Sequence, residues 1–88
     1  MKVINIIAMW CPSCLIMHDM MDEILKENNF ETLSYDYDFD SDKIECYNVG
    51  KVLPVYIFFD GEKEIKRIIG EHSKKEIEEE INKMIGSD

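Results

Sequence analysis

Basic residues are in short supply in this chain. Ten lysines and arginines stand against nineteen aspartates and glutamates, for a formal charge of −9. A surface of that sign repels phosphate, so nucleic acid is not an expected partner. The charge keeps the chain in solution and favours basic partner surfaces. Long apolar runs are missing too. No stretch is long enough to cross a bilayer, so no membrane partner is expected. The apolar start has about the length of a signal-peptide core. Only Lys2 precedes it, however, and Trp10-Cys11-Pro12 follows it where small residues would mark a cleavage site. Cysteine is sparse and odd in number, and three of them do not make a stapled secreted scaffold. There is no internal repeat, no low-complexity segment and no linker. The expectation is one small domain over residues 1–88, 45% apolar, monomeric and in the cytoplasm. In a reducing compartment a cysteine pair serves catalysis or metal binding more often than stapling.

Such a pair is present in Trp10-Cys11-Pro12-Ser13-Cys14. The run Lys2 to Ala8 reads as a buried strand, and Met17, Met20, Met21, Ile24 and Leu25 then recur at helical spacing. Cys11 therefore belongs at a strand-to-helix junction, where free backbone N–H groups and the positive end of the helix dipole meet its sulfur. Both favour the thiolate, the nucleophile of disulfide exchange. Cys14 lies one turn further on, within reach of a disulfide to Cys11. Pro12 suits the first helical turn, where a missing N–H costs little. Ser13 is placed either to donate a hydrogen bond towards the Cys11 sulfur or to stand as a solvated residue at the helix start.

Further along, Phe30 to Tyr37 alternates as a strand, with Leu33, Tyr35 and Tyr37 on one face. A short helix is expected over Ser41 to Tyr47, capped by Asp40 or Ser41, with Asn48 in the left-handed position at its end. Leu53 to Phe59 is an apolar strand opened by Pro54. Asp60-Gly61 signals a hairpin into a strand over Lys63 to Ile69, which Gly70 breaks. Ser73-Lys74-Lys75-Glu76 has the form of a capping box, and the helix after it has Ile77, Ile81, Met84 and Ile85 on its inner face. The order β-α-β-α-β-β-α implies an α/β fold. Right-handed helical crossovers would make strands one, two and three parallel neighbours, and the hairpin would make strand four antiparallel. The result is a four-stranded mixed sheet with helices on both faces.

Trp-Cys-x-x-Cys at Trp10 to Cys14, Tyr47-Asn48-Val49, Leu53-Pro54, Phe59-Asp60-Gly61-Glu62, Ile69-Gly70 and the Ser73 to Glu76 box together resemble the thioredoxin family over almost the whole chain. The resemblance implies the thioredoxin fold. It also implies a thiol–disulfide oxidoreductase with Cys11 and Cys14 as the catalytic dithiol and no organic cofactor or metal. Trp10, Leu53, Pro54 and Gly70 become the substrate-binding residues, with the Leu53–Pro54 peptide cis and Leu53 facing an extended partner chain. Protein disulfides are the implied substrates, and a separate reductase restores the dithiol. Two positions depart from the family. Its buried aspartate, six residues before the first cysteine, helps move the proton of the second; here Asn5 stands there and cannot act as a base. The usual lysine partner aligns with Ser34. Losing both charges together is coherent, because a lone buried charge is costly.

Other readings compete. Glutaredoxins share Cys-Pro-x-Cys, but their Gly-Gly-Asp-type glutathione-binding stretch is replaced by Glu71-His72-Ser73. Met9-x-Cys-x-x-Cys also occurs in ferredoxin-like carriers of Cu(I), a soft metal suited to two thiolates. Those carriers order their elements β-α-β-β-α-β and end in a strand, whereas this chain ends in a helix. Cys11, Cys14, His18 and Cys46 match no known zinc spacing. His18 reads as a surface residue, His72 as part of the last helix's start, and Cys46 as a packed or half-exposed thiol. A redox-sensing binding module is a further alternative. Leu15, partly outward, would either form an apolar contact patch with Trp10 and Leu53 or simply pack at the edge.

Overall fold

Two strands of this chain are apolar on both faces, and they pair with each other. In β1 (Lys2–Ile7) the four residues Val3 to Ile6 are all buried, and β3 (Val55–Asp60) begins with four buried residues, Val55 to Phe58. Strands covered on both faces belong in the middle of a sheet. The order in the sheet is β2-β1-β3-β4, with β2 (Glu31–Asp36) and β4 (Lys63–Ile69) at the edges. The computed structural model describes residues 1–86. The expected domain runs on to Asp88, and Ser87 and Asp88 lie outside the described residues.

β1 and β2 are parallel, joined by α1 (Pro12–Glu27). Its sixteen residues span about 24 Å, enough to carry the chain back along the sheet. The next connection behaves otherwise. β3 is not a parallel neighbour of β2, as the sequence order implied; it lies beside β1 and runs antiparallel to it. The reason is reach. A six-residue strand is about 20 Å long, whereas α2 (Ser41–Ile44), with four residues, covers only about 6 Å. With the following 3₁₀ turn Glu45–Tyr47 it cannot return the chain to the far end of the sheet. β2 ends beside Ile7, and β3 starts beside Ile6, at the same end. Asn48 closes the 3₁₀ turn in the left-handed region, at φ 52°. Gly61 at φ 66° takes the tight turn into antiparallel β4.

Side chains alternate along β1 and divide the core in two. Val3 packs with Tyr56, Phe58, Ile68 and the inner faces of α1 and α3 (Lys74–Ile85). Ile4 and Ile6 pack on the other side with Val55, Ile57, Leu53, Ile44 of α2 and the two cysteines. The one-turn α2 covers that second face only towards Tyr35 and Tyr37, so Leu33 on edge strand β2 stays exposed. α3 starts with a complete capping box: the Glu76 N–H donates to Ser73 Oγ at 3.2 Å, and the Ser73 N–H donates to Glu76 Oε1 at 3.0 Å. Ile77 and Ile81 are buried and Met84 packs against them, but Ile85, also expected inside, is exposed in the last turn.

This difference sets a test. Ile81→Ala is expected to cost about 2–5 kcal/mol of unfolding free energy, and Ile85→Ala no more than about 0.5 kcal/mol, both read from urea denaturation. Equal losses would contradict the packing of α3.

Candidate active site

After β1 the chain makes one turn, with the Cys11 N–H donating to the Ala8 carbonyl at 3.2 Å, and Pro12 opens α1. Cys11 is the N-cap. Its sulfur accepts a hydrogen bond from the Cys14 backbone N–H at 3.3 Å, the place usually taken by a serine or aspartate oxygen. The cap and the helix dipole both favour negative charge on that sulfur. Ser13, expected to donate to it, instead donates to Glu71 Oε1 at 3.0 Å, because its hydroxyl points outward to the segment after β4. Cys14 is buried beneath Cys11 at 2% exposure. Burial, then its hydrogen bond with Cys11 and the charge there, push its thiol from an ordinary 9.0 up to about 11. The two sulfurs are thus chemically unequal.

Three other segments meet at this end of the sheet. The Leu53–Pro54 peptide is cis. The Pro54 carbonyl accepts from the Gly70 N–H at 2.8 Å, continuing the pairing of Val55 with Ile69. Gly70 sits at φ 83°, and a β-carbon there would come within 3.2 Å of Val52 Cγ1, so both conformation and space call for glycine. Leu53 is a correction. Its side chain is only 6% exposed and packs into the core with Val55 and Ile57, so its side chain takes no part in the outward apolar patch. Only its backbone remains available for a partner chain. Trp10 is 60% exposed; its indole N–H donates to Asp38 Oδ2 at 2.7 Å, and its ring meets Tyr37 edge-on at 6.2 Å. Asp36 holds that loop in place by accepting from the Asp38 and Phe39 N–H groups. Leu15 and Ile16 are well exposed on the first turns of α1, and Met9, Val52 and Ile69 are exposed as well.

Asp38, Glu71 and Val52 escaped the sequence reading. Asp38 and Glu71 looked like ordinary solvated charges, and nothing local told them apart from the other acidic residues. His72 does serve the start of α3, its N–H donating to Met17 Sδ at 3.3 Å. His18 is exposed on α1, and Cys46 is exposed with its thiol donating to the Lys43 carbonyl at 3.8 Å. Among the described residues no group of three or more His, Cys, Asp or Glu side chains is arranged to hold a metal, so the four-residue zinc set is not assembled.

The sequence model of the family described as Thioredoxin matches residues 1–83. The chain belongs to the thioredoxin family. Solved structures agree on the fold. Thioredoxin 1 from Thermosipho africanus superposes with a TM-score of 0.87 at 23% identity, over 98% of this chain and 96% of that one. Thioredoxin from Fasciola hepatica gives 0.79 at 23% identity, over 93% and 78%. Thioredoxin NaTrxh from Nicotiana alata gives 0.81 at 25% identity, over 93% and 70%. A search of curated proteins returned no significant match. Family and fold support a thiol–disulfide oxidoreductase type of function, and they remove the ferredoxin-like architecture on which the Cu(I)-carrier reading stood.

The raised Cys14 thiol has a pH consequence. A thiol raised on folding keeps its proton in the folded chain where the unfolded chain has lost it, so the folded state binds more protons between 9.0 and about 11. Stability is full below that window and falls as pH rises through it. The melting temperature of the reduced protein is expected to drop from about pH 8.5 to about pH 10 more steeply than that of Cys14→Ser. Tyr47 and Tyr56, both raised by burial, remain in the variant and act as the internal control. Parallel curves would contradict the assignment.

Proposed function

We propose that Cys11 is the attacking thiol of a protein-disulfide oxidoreductase and Cys14 the resolving one. The observation that carries this reading is the cap of α1: a cysteine sulfur occupies the N-cap, receives the Cys14 N–H, and has the second, buried thiol directly below it. The Cys11 thiolate attacks a partner disulfide. A bond forms between Cys11 and one partner sulfur, and the other leaves as thiolate. Cys14 then attacks the Cys11 sulfur of the mixed disulfide. The Cys11–Cys14 bond forms, the partner leaves reduced, and the proton of Cys14 goes to solvent. The dithiol loses two electrons and the partner gains them; a separate reductase returns the pair to the thiol state.

The partner is read as an extended protein segment rather than a glutathione adduct. Trp10 supplies exposed apolar area beside Cys11. The Leu53 backbone and Pro54 form a short edge there, and Gly70 keeps the neighbouring turn close to Val52. Peptide groups pair with such an edge, and apolar side chains cover the exposed ring. The absence of a Gly-Gly-Asp-type stretch after Gly70 fits the same preference. A reducing cytoplasm suits three free thiols.

Purified protein with dithiothreitol as donor is expected to reduce a test protein disulfide such as that of insulin. Cys11→Ser should abolish turnover, Cys14→Ser should accumulate a mixed disulfide visible by mass spectrometry, and Cys46→Ser should leave turnover intact. Loss of turnover on changing Cys46 instead would overturn the assignment.

A further inference from the structure

The register of the sheet brings the ends of both edge strands to the dithiol. Ile7 at the end of β1 lies opposite Asp36 at the end of β2, Ile6 opposite Val55 at the start of β3, and Val55 opposite Ile69 at the end of β4. Across this end of the sheet the chain presents, in order, the loop after β2, then Trp10 and Cys11 after β1, Pro54 before β3, and Gly70 and Glu71 after β4. Each outer segment brings one carboxylate to the site. Asp38 Oδ2 accepts from the Trp10 indole N–H at 2.7 Å, and Glu71 Oε1 accepts from the Ser13 hydroxyl at 3.0 Å. Asp38 comes from the β2 side of Cys11 and Glu71 from the β4 side, so the two carboxylates flank the thiol that attacks.

Both carboxylates are exposed, and the side chains that donate to them are neutral. Asp22, Asp40, Glu64, Glu76 and Glu80 each meet a lysine, arginine or histidine within ion-pair distance; among the described residues Asp38 and Glu71 do not. Lys51, Lys74 and Lys75 stand closest in sequence to the loops of the site, and none of them makes an ion pair among the described residues either. The exposed apolar side chains of Trp10, Leu15 and Ile16 stand beside the same dithiol. A partner that covers them takes water away from the two carboxylates, which costs free energy unless the partner supplies opposite charge.

We propose that Asp38 and Glu71 are specificity-determining residues, which select partner segments carrying a lysine or arginine on each side of the disulfide cysteine. The inference rests on the reading of Cys11 as the attacking thiol and adds to it the charge of the partner. A neutral segment docked here leaves two carboxylates short of water, and an acidic one is repelled. A basic segment pairs with both, and the apolar stems of its lysines or arginines lie on the exposed side chains around them. The same cations assist the exchange. As Cys11 attacks, the Cys11–partner bond forms, the partner's own S–S bond breaks, and its other sulfur leaves with the electron pair as thiolate. A cation beside that sulfur stabilises the leaving thiolate, which speeds the step. The overall charge of −9 draws basic partners in from a distance. The two fixed carboxylates then set where their cations come to rest.

Reduced protein is mixed with each of three synthetic peptides, closed by one disulfide and alike except that lysine, serine or glutamate flanks both cysteines. The reduced peptide is quantified by chromatography. Each rate is divided by that of the same peptide with dithiothreitol alone, which removes the effect of the flanking charge on the disulfide itself. The lysine peptide is expected to react about fivefold faster than the serine peptide at about 0.01 M salt, as two exposed ion pairs allow, and about equally fast at about 1 M; the glutamate peptide should be slowest at low salt. Glu71→Gln and Asp38→Asn keep an oxygen to accept from Ser13 and Trp10 and remove only the charge. Each should lower the lysine preference about twofold, and the two together should bring it close to one. Glu71→Lys should move the preference towards the glutamate peptide. Glu78→Gln removes the same charge beside Glu27 and Asn28, at the far end of α1, and should keep the preference. A carboxylate that served only as a hydrogen-bond acceptor would leave the preference unmoved in Glu71→Gln. No preference at low salt, a preference that survives the double variant, or equal loss in Glu78→Gln overturns the selection and leaves the dithiol assignment standing. No reaction with any peptide, or equal reaction by Cys11→Ser, overturns the thiol assignment and the selection with it.

Discussion

Both faces of β1 must be covered, and the rest of the structure follows from that requirement. Val3 and Asn5 point to one side and Ile4 and Ile6 to the other, all out of water. Burying the apolar members of such a strand is worth about 1.5–3 kcal/mol for each large side chain. It is met only if β1 lies between two strands and beneath helices on each face. β3, equally apolar, takes one side. The C-terminal end of β1 then becomes the place where α1 starts, where β3 enters after Pro54, and where β4 ends at Gly70. Cys11, Pro54 and Gly70 meet because the strands that carry them share that end.

Both thiols of the site are buried, Cys11 at 6% and Cys14 at 2% exposure, and they differ in their partners. Cys11 caps the helix and receives an N–H, whereas Cys14 sits deeper and its thiol is raised. Two identical side chains three residues apart thereby stand in different surroundings, the asymmetry a two-step exchange needs. Beside them buried Asn5 donates to the exposed Ser34, a neutral pair that leaves no charge to be desolvated at Asn5. The surface around the dithiol is apolar at Trp10, Leu15 and Ile16, with carboxylates at Asp38 and Glu71 tied to the Trp10 and Ser13 side chains.

Much of this was legible in local pattern. Capping at Ser73, the left-handed residue at Asn48, the Gly61 turn and the bounds of β4 depend on neighbours a few residues apart, and the structure has them where their sequence signals stand. The junction at Cys11 was legible because strand periodicity changes to helical periodicity around Trp10-Cys11. The misreadings share a different cause. The direction of β3, the inward turn of Leu53, the outward turn of Ser13 and the exposure of Ile85 all depend on what lies opposite in space.

The sequence by itself determined the elements, the helix-start position of Cys11, the acidic surface and the membership of the family, because each is written in spacing, composition or a motif of adjacent residues. Only the tertiary structure decided that β3 runs antiparallel beside β1 and that Leu53 offers its backbone rather than its side chain. It alone brought Asp38 to Trp10 and Glu71 to Ser13, one carboxylate on each side of the dithiol. Those residues lie far apart along the chain and each is unremarkable in its own segment. Their meaning comes from strand register and burial, which depend on the length of α2 and on the competition of every apolar face for cover.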